Sequence, residues 1–384
     1  MKTTLFPILG VLLIAGAFVM VDHHPVQAGE VAGLKVLDPI HHGNLTVFPV
    51  VAAKSYPTGE FLTLDEGLRS GDVVVTEAGS VQGLVRRHGT PIHNDGAEVN
   101  RLVLVNNSKR PLLLLAGEIV SGGKQDRVIG KDRIVPAESD PIDLSVFCVE
   151  PGRWVATTDH FGASQALYGS ASGGGIGEPV HAATPPMAIM AQPSVRARAM
   201  ADKDQNQVWN EVNKQKTAMA QQVVVVDGSA AALELDQTTS YARVNENVEV
   251  KKQVENIARP IEQSYQSLIH QLRDRNAVGV VVAVNGRIIW ADVFASTDLL
   301  AKYWPKLVRS YASEAVVTRA KDMPVNMKQA EEFLAAMEGR HETIESEPGI
   351  YRHTEINGDG FKAFELTSLL PKTGYDVHVA KMAE

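Results

Sequence analysis

Short apolar runs of strand length recur between Val31 and Trp154: Leu45–Val51, Val73–Thr76, Arg101–Val105, Leu112–Leu115, Arg133–Val135 and Leu144–Val149. Turn formers separate them at His42-Gly43-Asn44, Ser70-Gly71-Asp72, Asn107 to Pro111 and Ser139-Asp140-Pro141. The pattern predicts a β-rich half over residues 29–160. Within it, RLVLVNNSKRPLLLLAGE (101–118) predicts a hairpin of two buried strands, and LTLDEGLRSG (62–71) a short helix stopped by Gly71.

Beyond residue 204 the period changes. Val250, Val254, Ile257, Ile261, Tyr265, Leu268 and Leu272 alternate spacings of four and three, one apolar stripe on a helix that contains Pro260. VGVVVAVNGRIIWADVF (278–294) predicts two strands joined at Asn285-Gly286, a type I′ turn signal. Leu300, Tyr303, Trp304, Leu307 and Tyr311 form a second helical face, and NMKQAEEFLAAMEG (326–339) a helix stopped by Gly339. A hairpin around Asn357 to Gly360 and a last strand, YDVHVAKM (375–382), complete a mixed half over 205–384. Tight turns between successive strands imply antiparallel pairing, so the class is α+β. Between the halves, residues 161–204 are rich in Gly, Ala, Ser and Pro and follow neither period. That composition predicts a flexible insertion.

The first residues change the picture. Lys2, an apolar stretch from Leu5 to Val21 and then Val26-Gln27-Ala28 follow the order of a secretory signal peptide with cleavage after Ala28. Pro7, Gly10 and Gly16 weaken the competing reading of an uncleaved anchor. The expected address is export, to the periplasm or outside the cell, with no membrane span after cleavage. A formal net charge of −8, with basic residues clustered only as pairs such as Arg86-Arg87, excludes the basic face of a nucleic-acid binder. The single cysteine, Cys148, excludes an internal disulfide. No histidine or acid spacing matches a metal-ligand motif, and the sequence names no cofactor.

LLAGEIVSGGKQDR (114–127) has the look of a phosphate loop. However, Gly122 is followed by Gly123 rather than lysine, and Gln125 stands where a metal-binding hydroxyl belongs. The next segment is β-branched and broken by Gly130 and Pro136, so no helix N-terminus follows. What remains is a glycine-rich turn carrying Lys124, Gln125 and Arg127. Its amides can cup an anion and Arg127 can clamp one, unless the charges are simply solvated. In DLSVFCVEPGRW (143–154), strand alternation puts Leu144, Val146, Cys148 and Glu150 on one face. Cys148 is then a small core residue, or a nucleophile if a cation adjoins it. Glu150, at the end of a buried face, is a candidate general base.

The block from Asn106 to Trp154, with its GE…GGKQ.R…CVE.GRW pattern, resembles the ARG and Rhodanese-Phosphatase-superfamily-associated protein domain family. NLTVFPV (44–50) and 278–294 look like parts of the same domain, so the resemblance covers most of the mature chain. It implies a link to ADP-ribose or NAD metabolism. Two readings of the motif stand. In one, Glu118, Lys124, Gln125 and Arg127 form one wall of a site for a small anionic ligand, and Cys148, Glu150, Arg153 and Trp154 the other. Arg127 and Arg153 would hold the anion, Trp154 would stack on a ring, and Glu118 or Glu150 would be the acid/base of a hydrolysis. In the other, Glu118 and Glu150 pair with Arg127 and Arg153 in a buried clasp of a non-catalytic envelope module.

Overall fold

The computed structural model describes residues 33–78, 100–152, 160–162, 189–227, 235, 237–272, 276–319, 321, 323 and 325–384. Arg153 and Trp154 lie outside these. The chain opens with β1 (Leu34–Val36), β2 (Ile40–His42), β3 (Leu45–Ala52), β4 (Leu62–Thr63), α1 (Leu64–Ser70) and β5 (Val73–Glu77). Six strands follow: β6 (Arg101–Asn106), β7 (Leu112–Leu114), β8 (Ile119–Val120), β9 (Arg127–Ile129), β10 (Arg133–Val135) and β11 (Ile142–Cys148). Then α2 (Pro193–Ala197) runs into a π-helical turn (Arg198–Asp202), before α3 (Gln205–Asp227), α4 (Tyr241–Glu246) and α5 (Val248–Gln271). The last elements are β12 (Asn276–Val284), β13 (Arg287–Phe294), α6 (Thr297–Val317), α7 (Met327–Ala335), β14 (Gly339–Glu347), β15 (Tyr351–Gly358), β16 (Phe361–Ser368) and β17 (Asp376–Ala383).

The class is α+β, with antiparallel sheets in the first half and helices plus hairpins in the second. A nine-stranded sheet runs β1-β3-β12-β13-β17-β16-β15-β14, with β2 also on β3, and so joins the first strands to the last. Alternation sorts its side chains. Val47, Val280, Val282, Trp290, Phe294, Phe364 and Leu366 pack with the apolar stripes of α5 and α6. Phe48, Val50, Val281 and Ala291 pack with Ala330 and Leu334 of α7. The expected type I′ turn is present, with φ of 52° at Asn285 and 73° at Gly286. α1 forms as expected. Thr63 and Glu66 make a reciprocal capping box, and Gly71 ends the helix in the left-handed region.

β5, β6, β11, β9 and β8 make a second sheet. Its two edges meet through Phe161 and Gly162: the Phe161 amide donates to Val75 of β5, and Gly162 bridges Ser121 beyond β8. The sheet is thereby closed into a small barrel filled by Val73, Val75, Leu102, Leu104, Val120, Ile129, Leu144, Val146 and Phe161. A third sheet, β10-β7-β4, is the wall between this barrel and the main core. Along it Leu112 and Leu114 enter the barrel core, while Leu113 and Leu115 enter the main one. The unbroken leucine run is the signature of a strand buried on both faces.

Three expectations change. Residues 101–118 do not form a hairpin: β6 pairs with β5 and β11, and β7 with β10 and β4. Asn106 holds the connection open, its side-chain amide donating to the carbonyls of Arg110 and Pro136. The helix expected to stop at Gly339 ends at Ala335. Gly339 opens β14, where a Cβ would stand 2.4 Å from the Asn357 carbonyl oxygen. Finally, of the stretch expected as a flexible insertion, residues 163–188 lie outside the described ones, while 189–201 are packed, with Val195, Arg196 and Ala199 fully buried. Because β7 is a two-sided wall, Leu113→Ala and Leu114→Ala should cost similar amounts, about 2–5 kcal/mol each, in urea unfolding. A one-sided strand would make one of them nearly neutral.

Candidate functional site

The GEIVSGGKQDR motif is a hairpin, β8–loop–β9, and not a strand-to-helix phosphate cradle. Asp126 closes the loop by accepting the Gly122 amide at 3.2 Å and the Ser240 hydroxyl at 2.6 Å. The carboxylate of Glu77 caps the Lys124 amide at 2.8 Å. Gly123, at φ 49°, leaves room for Phe161, whose ring would be 2.3 Å from an added Cβ.

Ahead of the hairpin, the turn from Leu115 to Glu118 touches two buried charge networks. Gly117 sits at φ 97°, with the Arg196 side chain 2.5 Å from where a Cβ would be. In the first network the Lys306 ammonium, from α6, donates to Glu118 and, at 2.6 Å, to Asp65 of α1. The Leu115 amide fills the second oxygen of Glu118 at 2.8 Å. Burial raises the Glu118 pKa, and Asp65 adds to that against the pull of Lys306. Lys306 is opposed by burial, yet the two carboxylates hold it above its ordinary value, so it stays an ammonium.

The second network is fully buried. Arg196 grips Asp292 of β13 through both terminal nitrogens at 2.9 Å, and its guanidinium lies 4.4 Å from the Trp290 ring. His378 of β17 bridges Asp132, at 2.5 Å, and Asp292, at 3.1 Å. Tyr311 of α6 donates to Asp292, and the Ala116 amide to Asp132 at 2.7 Å. Burial opposes charge on the imidazole, but Asp132 and Asp292 push His378 up to about 9. Arg196 and His378 overcome burial to hold Asp292 far below the carboxylate range, and His378 likewise lowers Asp132. Two cations against two anions leave the set neutral, as burial away from solvent requires.

A third cluster occupies one end of the barrel, where β5 ends at Glu77, β9 begins at Arg127 and β11 ends at Cys148. Arg127 and Cys148 are paired residues of neighbouring strands, both without solvent exposure. Burial raises the Cys148 thiol, with the hydrogen bond from the Glu150 amide and the charge of Arg127 only partly opposing it, so the sulfur is held as a neutral thiol. Glu150 accepts the Asp126 amide at 3.0 Å, its own amide donates to the Cys148 sulfur at 3.3 Å, and its carbonyl accepts from Gln125 at 3.0 Å.

The structure thus brings Lys124, Gln125, Arg127, Cys148 and Glu150 together at the barrel end, and places Glu118 apart from them under α6. Glu77, Asp126, Lys306 and the Asp132–His378–Asp292–Arg196 set were not singled out from the sequence. Two carried a readable signal: Asp292 falls on the inward face with Trp290 and Phe294, and His378 on an apolar strand. Among the described residues no group of three metal-ligating side chains is arranged to hold a metal ion, and no helix is long and apolar enough to cross a membrane.

His353, on β15, is buried with both ring nitrogens lacking a hydrogen-bond partner. Burial pushes its pKa down to about 4, with Asp132 partly opposing. The unfolded chain then binds a proton that the native one refuses as pH falls from about 6.5 to about 4. The stability gap between the wild type and His353→Leu should shift against the wild type by about 3 kcal/mol across that window, and stay flat above it. Urea unfolding at a series of pH values measures this. Near pH 7 the leucine variant should match or exceed the wild type, since it removes an unsatisfied polar group.

No curated protein and no solved structure matches the chain. The sequence matches the ARG and Rhodanese-Phosphatase-superfamily-associated Protein domain over residues 33–382, nearly its full length, and the chain belongs to that family.

Proposed function

We propose that the chain is an exported, non-catalytic module of the cell envelope, in which the family motif acts as a structural clasp. One observation carries this reading: Glu118 and Glu150, the acids on which any chemistry of the motif would depend, are both buried and hold internal donors. The partner of Glu118 is Lys306, so the clasp ties the barrel to α6 rather than closing within the motif. Each carboxylate thus already holds a donor from within the fold: Lys306 and the Leu115 amide on Glu118, the Asp126 amide on Glu150. Export rests on the N-terminal order of charge, apolar stretch and small residues.

A second reading keeps a specific support. Gln125, Arg127, Cys148 and Glu150 gather at the end of a barrel, and barrel mouths are common ligand sites. In that reading a small anionic, ADP-ribose-like compound binds there, with Lys124 at the rim.

A thermal-shift screen with ADP-ribose, NAD, mononucleotides and divalent metals separates the two. The clasp reading expects no shift, together with a loss of about 3–5 kcal/mol in Lys306→Ala, which strands two buried carboxylates. A shift with ADP-ribose or a nucleotide that is lost in Arg127→Ala would overturn it. For export, expression with the native N-terminus should yield a chain whose mass starts at Gly29. Retention of residues 1–28 would remove that part of the reading.

A further inference from the structure

Among the described residues the nine-stranded sheet ends at β14, which pairs with β15 on one side only. From Gly339 to Thr343 every residue is exposed, so this stretch extends past both covering layers. A strand edge presents unpaired amides and carbonyls that template another strand. Beyond Thr343 the edge is spoiled. A register shift falls between Thr343 and Glu345, and Glu345 and Glu347 are drawn to Lys131 and Arg133 of the neighbouring β9–β10 connection and β10. The free template is therefore short, and it carries one cation and one anion on the same side: Arg340 and Glu342, 3.1 Å apart and with 78% and 59% of their side chains exposed.

We propose that β14 pairs antiparallel with β14 of a second copy of this chain, about a two-fold axis at His341, joining two nine-stranded sheets into one. In that register Arg340 stands opposite Glu342 of the partner subunit, and Glu342 opposite Arg340 of the partner subunit, while Gly339 faces Thr343. Directly opposed unlike charges favour a strand pair, and like charges disfavour it. The two-fold doubles each favourable contact, as any self-complementary interface does. The same charges that guard an edge against foreign strands are thereby complementary to their own copy. A foreign strand of one sign is repelled by either Arg340 or Glu342. The second copy is the occupant these charges fit, because an antiparallel arrangement about His341 satisfies both. The contact is small, so the dimer is weak and forms at high protein concentration.

Sedimentation equilibrium of the mature chain, at concentrations up to about 1 mM, tests this. The wild type should show a monomer–dimer equilibrium. Arg340→Glu should raise the dimer Kd at least about tenfold, because both cross-pairs become acid against acid. The double variant Arg340→Glu/Glu342→Arg should restore it to within about twofold. Both positions are exposed, so an unchanged Tm in each variant shows that folding is not the cause. A monomer at every concentration overturns the proposal. So does a dimer indifferent to Arg340→Glu, or one that the double variant fails to restore.

Discussion

Much of this fold depends on a chain of charges without solvent exposure. Asp132, His378, Asp292 and Arg196 come from the β9–β10 connection, β17, β13 and α2, and Tyr311 of α6 adds a hydroxyl. Each is fully buried, so each must be matched: removing one partner strands a charge, which typically costs about 3–5 kcal/mol. Neutrality of the set, rather than any single bond, is the constraint. It explains why α2 is drawn into the core although its surroundings in sequence are rich in glycine and alanine. It also explains why Gly117 must lack a side chain, since the Arg196 stem occupies that space on its way to Asp292.

The family motif sits where this chain meets a second one. The Ala116 amide answers Asp132, and two residues later Glu118 answers Lys306, which also holds Asp65 of α1. A four-residue turn thus reads out the position of the nine-stranded sheet, the barrel and α6 together. Of the motif residues that look chemical in sequence, Glu118 is engaged in joining these layers. Buried ionic sets of this kind need not add net stability over an apolar core. Their consequence is geometric: wrong packings leave an unpaired charge.

Several elements were legible because a repeating period marked them. The stripes of α5 and α6, the Asn285-Gly286 hairpin and the capped α1 all follow local rules. Cys148 was placed correctly on the inward face with Leu144 and Val146. The edge strand β14 left no such mark, because a strand exposed on both sides needs no alternation. The supposed hairpin over 101–118 failed for a related reason. Two apolar strands joined by turn residues look alike whether they pair with each other or, as here, with strands elsewhere.

The sequence by itself determined the class, the family, most strand and helix positions and the two segments that carry the motif. The class and the elements rest on periodicity and turn chemistry, which act over a few residues, and the family on the resemblance of its motif block. Only the tertiary structure decided what the motif's charged residues touch. Glu118 meets Lys306 across 188 positions, and Arg196 meets Asp292 across 96. Pairing at such separations is chosen by the packing of whole layers and by the demand that every buried charge find its opposite, and neither leaves a local signal.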